Sequence, residues 1–255
     1  MHRKHKWILG AIGLLVFGSL SSLGYEYLIQ MPMSSNLQQK AEQAFAAGIT
    51  IEDEHSDFAP MGAKPNGEKP NNPVGYDLGF NDVRSLSLGT DGTYLYCKVV
   101  LWESIPADPP ILVDDKIGNT FIKINITDSQ GVDQEIWMLG FGYLPPFNIP
   151  TVNTYYFYDP TGIQEPEDKR FSGRGSDGKI AGGAGYDYII GALPLDGIGL
   201  SLGETMYLSL SVETTSSKYD HASVDVLGGQ GKMPALITWK PGTSSYEIDH
   251  DFYQP

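Results

Sequence analysis

The chain has 255 residues, a formal charge of −14 and a single cysteine. Setting aside the +3 of Arg3, Lys4 and Lys6 leaves −17 on the remainder, which repels phosphate backbones and anionic lipid and argues against a nucleic-acid partner. One cysteine excludes an intramolecular disulfide and a cysteine-based zinc site, and exported prokaryotic domains commonly do without disulfides.

The first predicted element is a membrane segment. His2-Arg3-Lys4-His5-Lys6 is a basic patch, and residues 7–24 carry no charge, the pattern of an export signal and about the shortest stretch that spans a bilayer core. Ser22-Leu23-Gly24 offers small residues to a signal peptidase, whereas Tyr25, Tyr27, Leu28 and Ile29 prolong the apolar stretch and suit an interfacial aromatic belt. Residues 1–30 therefore read as a signal peptide or a membrane anchor, with the balance on a retained anchor. The basic flank then stays inside, and the rest of the chain lies outside the cytoplasm, or is secreted if the signal is cleaved.

Residues 31–73 have a different character. Ser34 and Ser35 can cap a short helix through Leu37, Ala41, Ala44 and Phe45 that closes at Gly48. From Glu52 to Pro73 the composition turns to Asp, Glu, Asn, Gly and four prolines without apolar periodicity, which predicts a flexible linker holding the body away from the membrane.

The body, 74–248, reads as strands, with 249–255 left as a C-terminal tail. Leu95, Cys97, Val99 and Leu101 alternate with Tyr94, Tyr96, Lys98 and Val100, and Asp91-Gly92 supplies the hairpin turn before them. Ile122, Ile124 and Ile126 repeat the period of two, then residues 135–141, then Met206, Leu208, Leu210 and Val212, then Ala222, Val224 and Val226. Short alternating strands separated by Gly, Pro and Asp turns predict an all-β fold, an antiparallel sandwich of jelly-roll or immunoglobulin-like type.

The residues that carry chemistry are few. Cys97 shares strand parity with Leu95 and Val99, which makes it a buried thiol rather than a nucleophile. Asp220, His221 and Ser223 lie too close along one strand to converge as a triad. No catalytic constellation remains, so the body reads as non-enzymatic. Asp159, Glu165, Glu167, Asp168 and Asp177 sit in two Gly-containing loops, the setting in which exported proteins hold calcium as a structural clip. Aromatic rings stack on sugar rings while their polar tips fix orientation, and Trp137, Tyr156, Tyr158, Tyr186 and Tyr188 are the candidates for such a site. Trp102 belongs to the same wider group of aromatics at strand ends and loops. The competing reading is that half of each alternating pair fills the core.

Three stretches carry a resemblance: Gly75-Tyr76-Asp77-Leu78, Asp82 to Leu88 and Thr90 to Tyr96, joined later by Tyr186-Asp187-Tyr188 with Leu193-Pro194-Leu195 and Gly199 to Gly203. This series of strand, Asp-Gly turn and Tyr-Leu-Tyr strand resembles the opening of DOMON-like and family 9 carbohydrate-binding-like sandwiches. The resemblance implies an extracellular sandwich that binds sugar, or haem in some branches, frequently with a structural calcium. The body has no Met and His pair suited to haem. Two functions are expected from different classes: a membrane-tethered or secreted module that binds extracellular carbohydrate, and a cell-surface structural or assembly protein that binds another protein.

Overall fold

The computed structural model describes residues 36–55, 59–60, 80, 82–106, 111–112, 115–144, 149–157, 169–174, 179–196, 202–216, 223–228 and 234–253. Among them are one helix, α1 (residues 36–45), and fifteen strands in two antiparallel sheets. No helix of the described residues is long and apolar enough to cross a membrane, and the segment expected at 1–30 lies outside them.

The five-stranded sheet contains β1 (Ile49–Glu52), β3 (Val83–Thr90), β4 (Tyr94–Leu101), β10 (Ile180–Gly182) and β11 (Tyr188–Pro194), in the order β1-β3-β4-β11-β10. The larger sheet runs β15 (Tyr246–Asp249), β14 (Leu236–Trp239), β12 (Met206–Ser216), β6 (Asp115–Thr127), β7 (Asp133–Leu144), β8 (Ile149–Phe157) and β9 (Lys169–Arg174). Three short strands attach at its side: β13 (Ser223–Val226) on β12, β2 (Ala59–Pro60) on β13, and β5 (Ile111–Leu112) on β6. The expected all-β antiparallel arrangement is what the chain forms.

The period of two does what it predicts. Leu95, Cys97, Val99 and Leu101 of β4 are fully buried and meet Ile122, Ile124, Trp137, Leu139, Leu208 and Leu210 of the opposing sheet. Between β3 and β4, Asp91 accepts hydrogen bonds from the Thr93 and Tyr94 amides at 2.9 and 2.8 Å. Gly92 takes a φ of 87° there, a conformation that glycine adopts without a Cβ clash.

The five-stranded sheet buries its outer face too, because α1 lies on it. Leu37, Ala41 and Ala44, spaced for one helical face, pack on Tyr96, Ala181, Ile190 and Ala192. Close approach depends on small residues: a Cβ on Gly89 would stand 2.5 Å from the carbonyl carbon and oxygen of Ala44. After Gly48 the chain enters β1, which pairs with β3 from Ile49↔Leu88 to Glu52↔Ser85. The helix and β1 thus belong to the sandwich, which corrects the expected boundary at residue 74. Ile49 and Ile51 sit in the core, and the flexible linker expected from Glu52 to Pro73 lies largely outside the described residues. The tail is anchored as well, since the Tyr253 hydroxyl donates to the Gly131 carbonyl at 3.2 Å.

Candidate functional site

The end of the outer face where β4 finishes carries exposed rings. There the backbone stitches three segments together. Leu101 N–H donates to the Asp187 carbonyl (2.7 Å), Ile105 N–H to that of Tyr186 (2.8 Å), and Trp102 N–H to that of Asp82 (3.0 Å). Trp102 and Tyr186 thereby stand on neighbouring segments at the same rim, and both keep large ring areas in water, at 37% and 50% exposure.

Each ring is held by its surroundings. The register between β3 and β4 slips between Val83 and Ser85, and such a bulge re-aims a side chain: Val83 stays in the core while Arg84 points outward. Its guanidinium carbon lies 5.4 Å from the Trp102 ring centre, within cation–π range. The His55 ring lies 4.6 Å from the same indole, tilted by 56°, and His55 Nε2 is 3.7 Å from Oδ2 of buried Asp82. On the neighbouring strand Tyr186 and Tyr188 meet edge to face at 5.3 Å. Lys98 Nζ stands 5.3 Å over the Tyr188 ring and 2.7 Å from Glu42 on α1. The Tyr188 hydroxyl donates to Gln38 at 3.4 Å. Burial, with the nearby Tyr186, Asp187 and Glu42, raises the Tyr188 pKa and keeps that hydroxyl protonated.

The result is a ledge of rings carrying both donors and acceptors. Behind it, the fully buried Asp225 ties the two sheets together, its carboxylate accepting from the amides of Val83 (2.6 Å) and Val226 (2.9 Å). That carboxylate is placed for architecture.

Of the five aromatics expected at a ligand site, four lie among the described residues, and of these four the fold unites Tyr186 and Tyr188. Trp137 and Tyr156 are cross-strand partners in the larger sheet, both fully buried. Trp137 donates through Nε1 to Thr154 Oγ1 at 2.8 Å inside the core. They lie on the opposite side of the five-stranded sheet from the ledge: a Cβ on Gly191 of β11 would come within 2.8 Å of the Trp137 ring. Tyr158 and the carboxylates Asp159, Glu165, Glu167, Asp168 and Asp177 lie outside the described residues. Among the described residues no group of three or more His, Cys, Asp or Glu side chains is placed to hold a metal ion. Burial pushes the Cys97 thiol far up in pKa, in keeping with an inert core thiol.

Arg84 and His55 were missed in the sequence, whereas Trp102 stood only in the wider aromatic group. Arg84 depends on a bulge, His55 falls in the segment read as linker, and Trp102 follows the last alternating residue of β4, where parity no longer tells in from out. A tryptophan just past a strand end, preceded on the partner strand by an arginine, was the available signal. Comparison with family models, with curated proteins and with solved structures finds no match to this chain.

Proposed function

We propose that this chain is a non-enzymatic binding module, a jelly-roll-like sandwich presented outside the cytoplasm by its N-terminal segment, and that it takes a neutral saccharide on the Trp102–Tyr186–Tyr188 ledge. The observation that carries the reading is the exposure of Trp102 and Tyr186 at one rim, because burying such rings in water-facing positions makes sense when an apolar face covers them. Sugar rings offer that face, and their hydroxyls match the mixed donors and acceptors of His55, Arg84 and Asp187. The acidic body disfavours anionic polysaccharides.

Glycan-array screening followed by calorimetric titration of the hits tests it. Replacing Trp102 and Tyr186 together by Ala is expected to weaken binding by at least about tenfold, or 1.4 kcal/mol, with the fold unchanged by circular dichroism. An array without hits, or hits indifferent to the double substitution, would overturn the reading. Trp, Tyr and Arg in one patch are also the residues that anchor protein partners, so a copurifying surface protein lost on the same substitutions would favour the assembly role instead.

A further inference from the structure

The direction of α1 bears on where the ledge can face. Gln38, in the first described turn, touches Tyr188, whereas Ala44, in the last, packs against Gly89 beside the Asp91-Gly92 turn. The helix therefore starts at the ledge end of the five-stranded sheet and runs toward the opposite end. The chain arriving from the membrane segment reaches the folded body beside the ledge.

Covalent geometry limits the separation. Gln30 and Asn36 are six Cα steps apart, at most about 20 Å even when fully extended. The eight residues of β4 put the other end of the sheet about 25 Å farther away. A body joined this closely to a bilayer, at this end, turns Trp102 and Tyr186 toward the headgroups, where exposed Trp and Tyr are at home.

We infer that the ledge faces the membrane that carries the chain, and that its ligand is the neutral sugar headgroup of a glycolipid in that membrane, not a glycan free in solution. The inference rests on the saccharide reading above and on a retained anchor. It adds a source for the sugar. The ledge carries the Lys98–Glu42 ion pair beside Arg84 instead of forming a cationic patch, which suits an uncharged headgroup better than an anionic one.

The test uses the full chain in phosphatidylcholine vesicles with or without a neutral diglycosyl diacylglycerol. Ser104→Cys marks the ledge end and Thr205→Cys the opposite end; both sites are exposed, and buried Cys97 is not labelled. With an acceptor dye on the lipid headgroups, donor emission is expected to drop more at residue 104 than at 205. Inserting about 20 Gly/Ser residues after Gln30 frees the body and should erase that difference. Beads bearing the same sugar should be captured about tenfold better by the insertion variant than by the parent chain, whose ledge is turned away from them. Equal or reversed emission loss, or beads captured equally by both, overturns the inference and leaves the saccharide reading standing. Failure of both chains to capture beads counts against the saccharide reading, while the emission difference still decides the orientation.

Discussion

Gly89→Ala examines how the helix joins the sandwich. Gly89 pairs with Tyr96 on the face that α1 covers. The added Cβ would lie 2.5 Å from both the carbonyl carbon and oxygen of Ala44 and 2.8 Å from the Phe45 nitrogen. All three atoms are backbone, so no side-chain rotation relieves the contact, and the last helical turn must lift by about 1 Å to regain normal van der Waals distance. Overpacking of this kind costs about 1–3 kcal/mol. The upper half applies here, since lifting the turn also loosens Leu37, Ala41 and Ala44 from Tyr96 and Ile190. Gly203→Ala is the control: Gly203 has a φ of 83° but nothing within 4 Å of its Cβ, so it loses only about 1 kcal/mol from backbone conformation. Urea unfolding of the purified chain, followed by tryptophan fluorescence, compares the two. Hydrogen exchange should show faster amide exchange over residues 36–45 in Gly89→Ala alone. A Gly89→Ala chain no less stable than Gly203→Ala, with α1 still protected, would refute the close-packed helix.

Tyr156→Phe removes a buried hydroxyl that has no hydrogen-bond partner among the described residues and is expected to leave stability unchanged or raise it by up to about 1 kcal/mol. Thr154→Val should lower it by about 1–3 kcal/mol, because Trp137 Nε1–H then loses its acceptor; chemical denaturation of both variants checks the contrast. For Asp91, burial raises the pKa, but hydrogen bonds from Tyr94, the Tyr96 hydroxyl and Thr93 prevail and hold it below 3.8. A folded-state pKa below the unfolded one means that the carboxylate stabilises fully above about pH 4 and loses its effect as acid protonates it. Asp91→Ala should accordingly lower the melting temperature at pH 7 and erase part of the parent's loss of stability below pH 4. Cys97, buried with its pKa raised, should react with a thiol reagent only at the rate of unfolding, and immediate labelling of the native chain would contradict its core placement.

The strand alternation was legible because a half-buried strand writes its burial into every second residue. Leu95, Cys97, Val99 and Leu101 needed no tertiary information to be placed inside, nor did the Asp91-Gly92 turn. The same rule misled at Trp137 and Tyr156. Parity puts both rings on one face of their strands, but only the packing of the five-stranded sheet on that face makes it the core and denies it to a ligand. Tyr96, read as outward, is outward and yet buried, because α1 covers it. Residues 36–52 looked like the approach to a domain because they lie next to an acidic, proline-rich stretch. Pairing with β3, 33 residues or more along the chain, is a non-local contact that local composition does not encode. By itself, then, the sequence determined the periodic strands, the turn chemistry, the inert cysteine and the acidic charge. Tertiary structure alone decided which aromatics share a surface, because a bulge at Arg84, the course of α1 and the meeting of residues 101–105 with 185–187 are set by contacts between segments far apart in the chain.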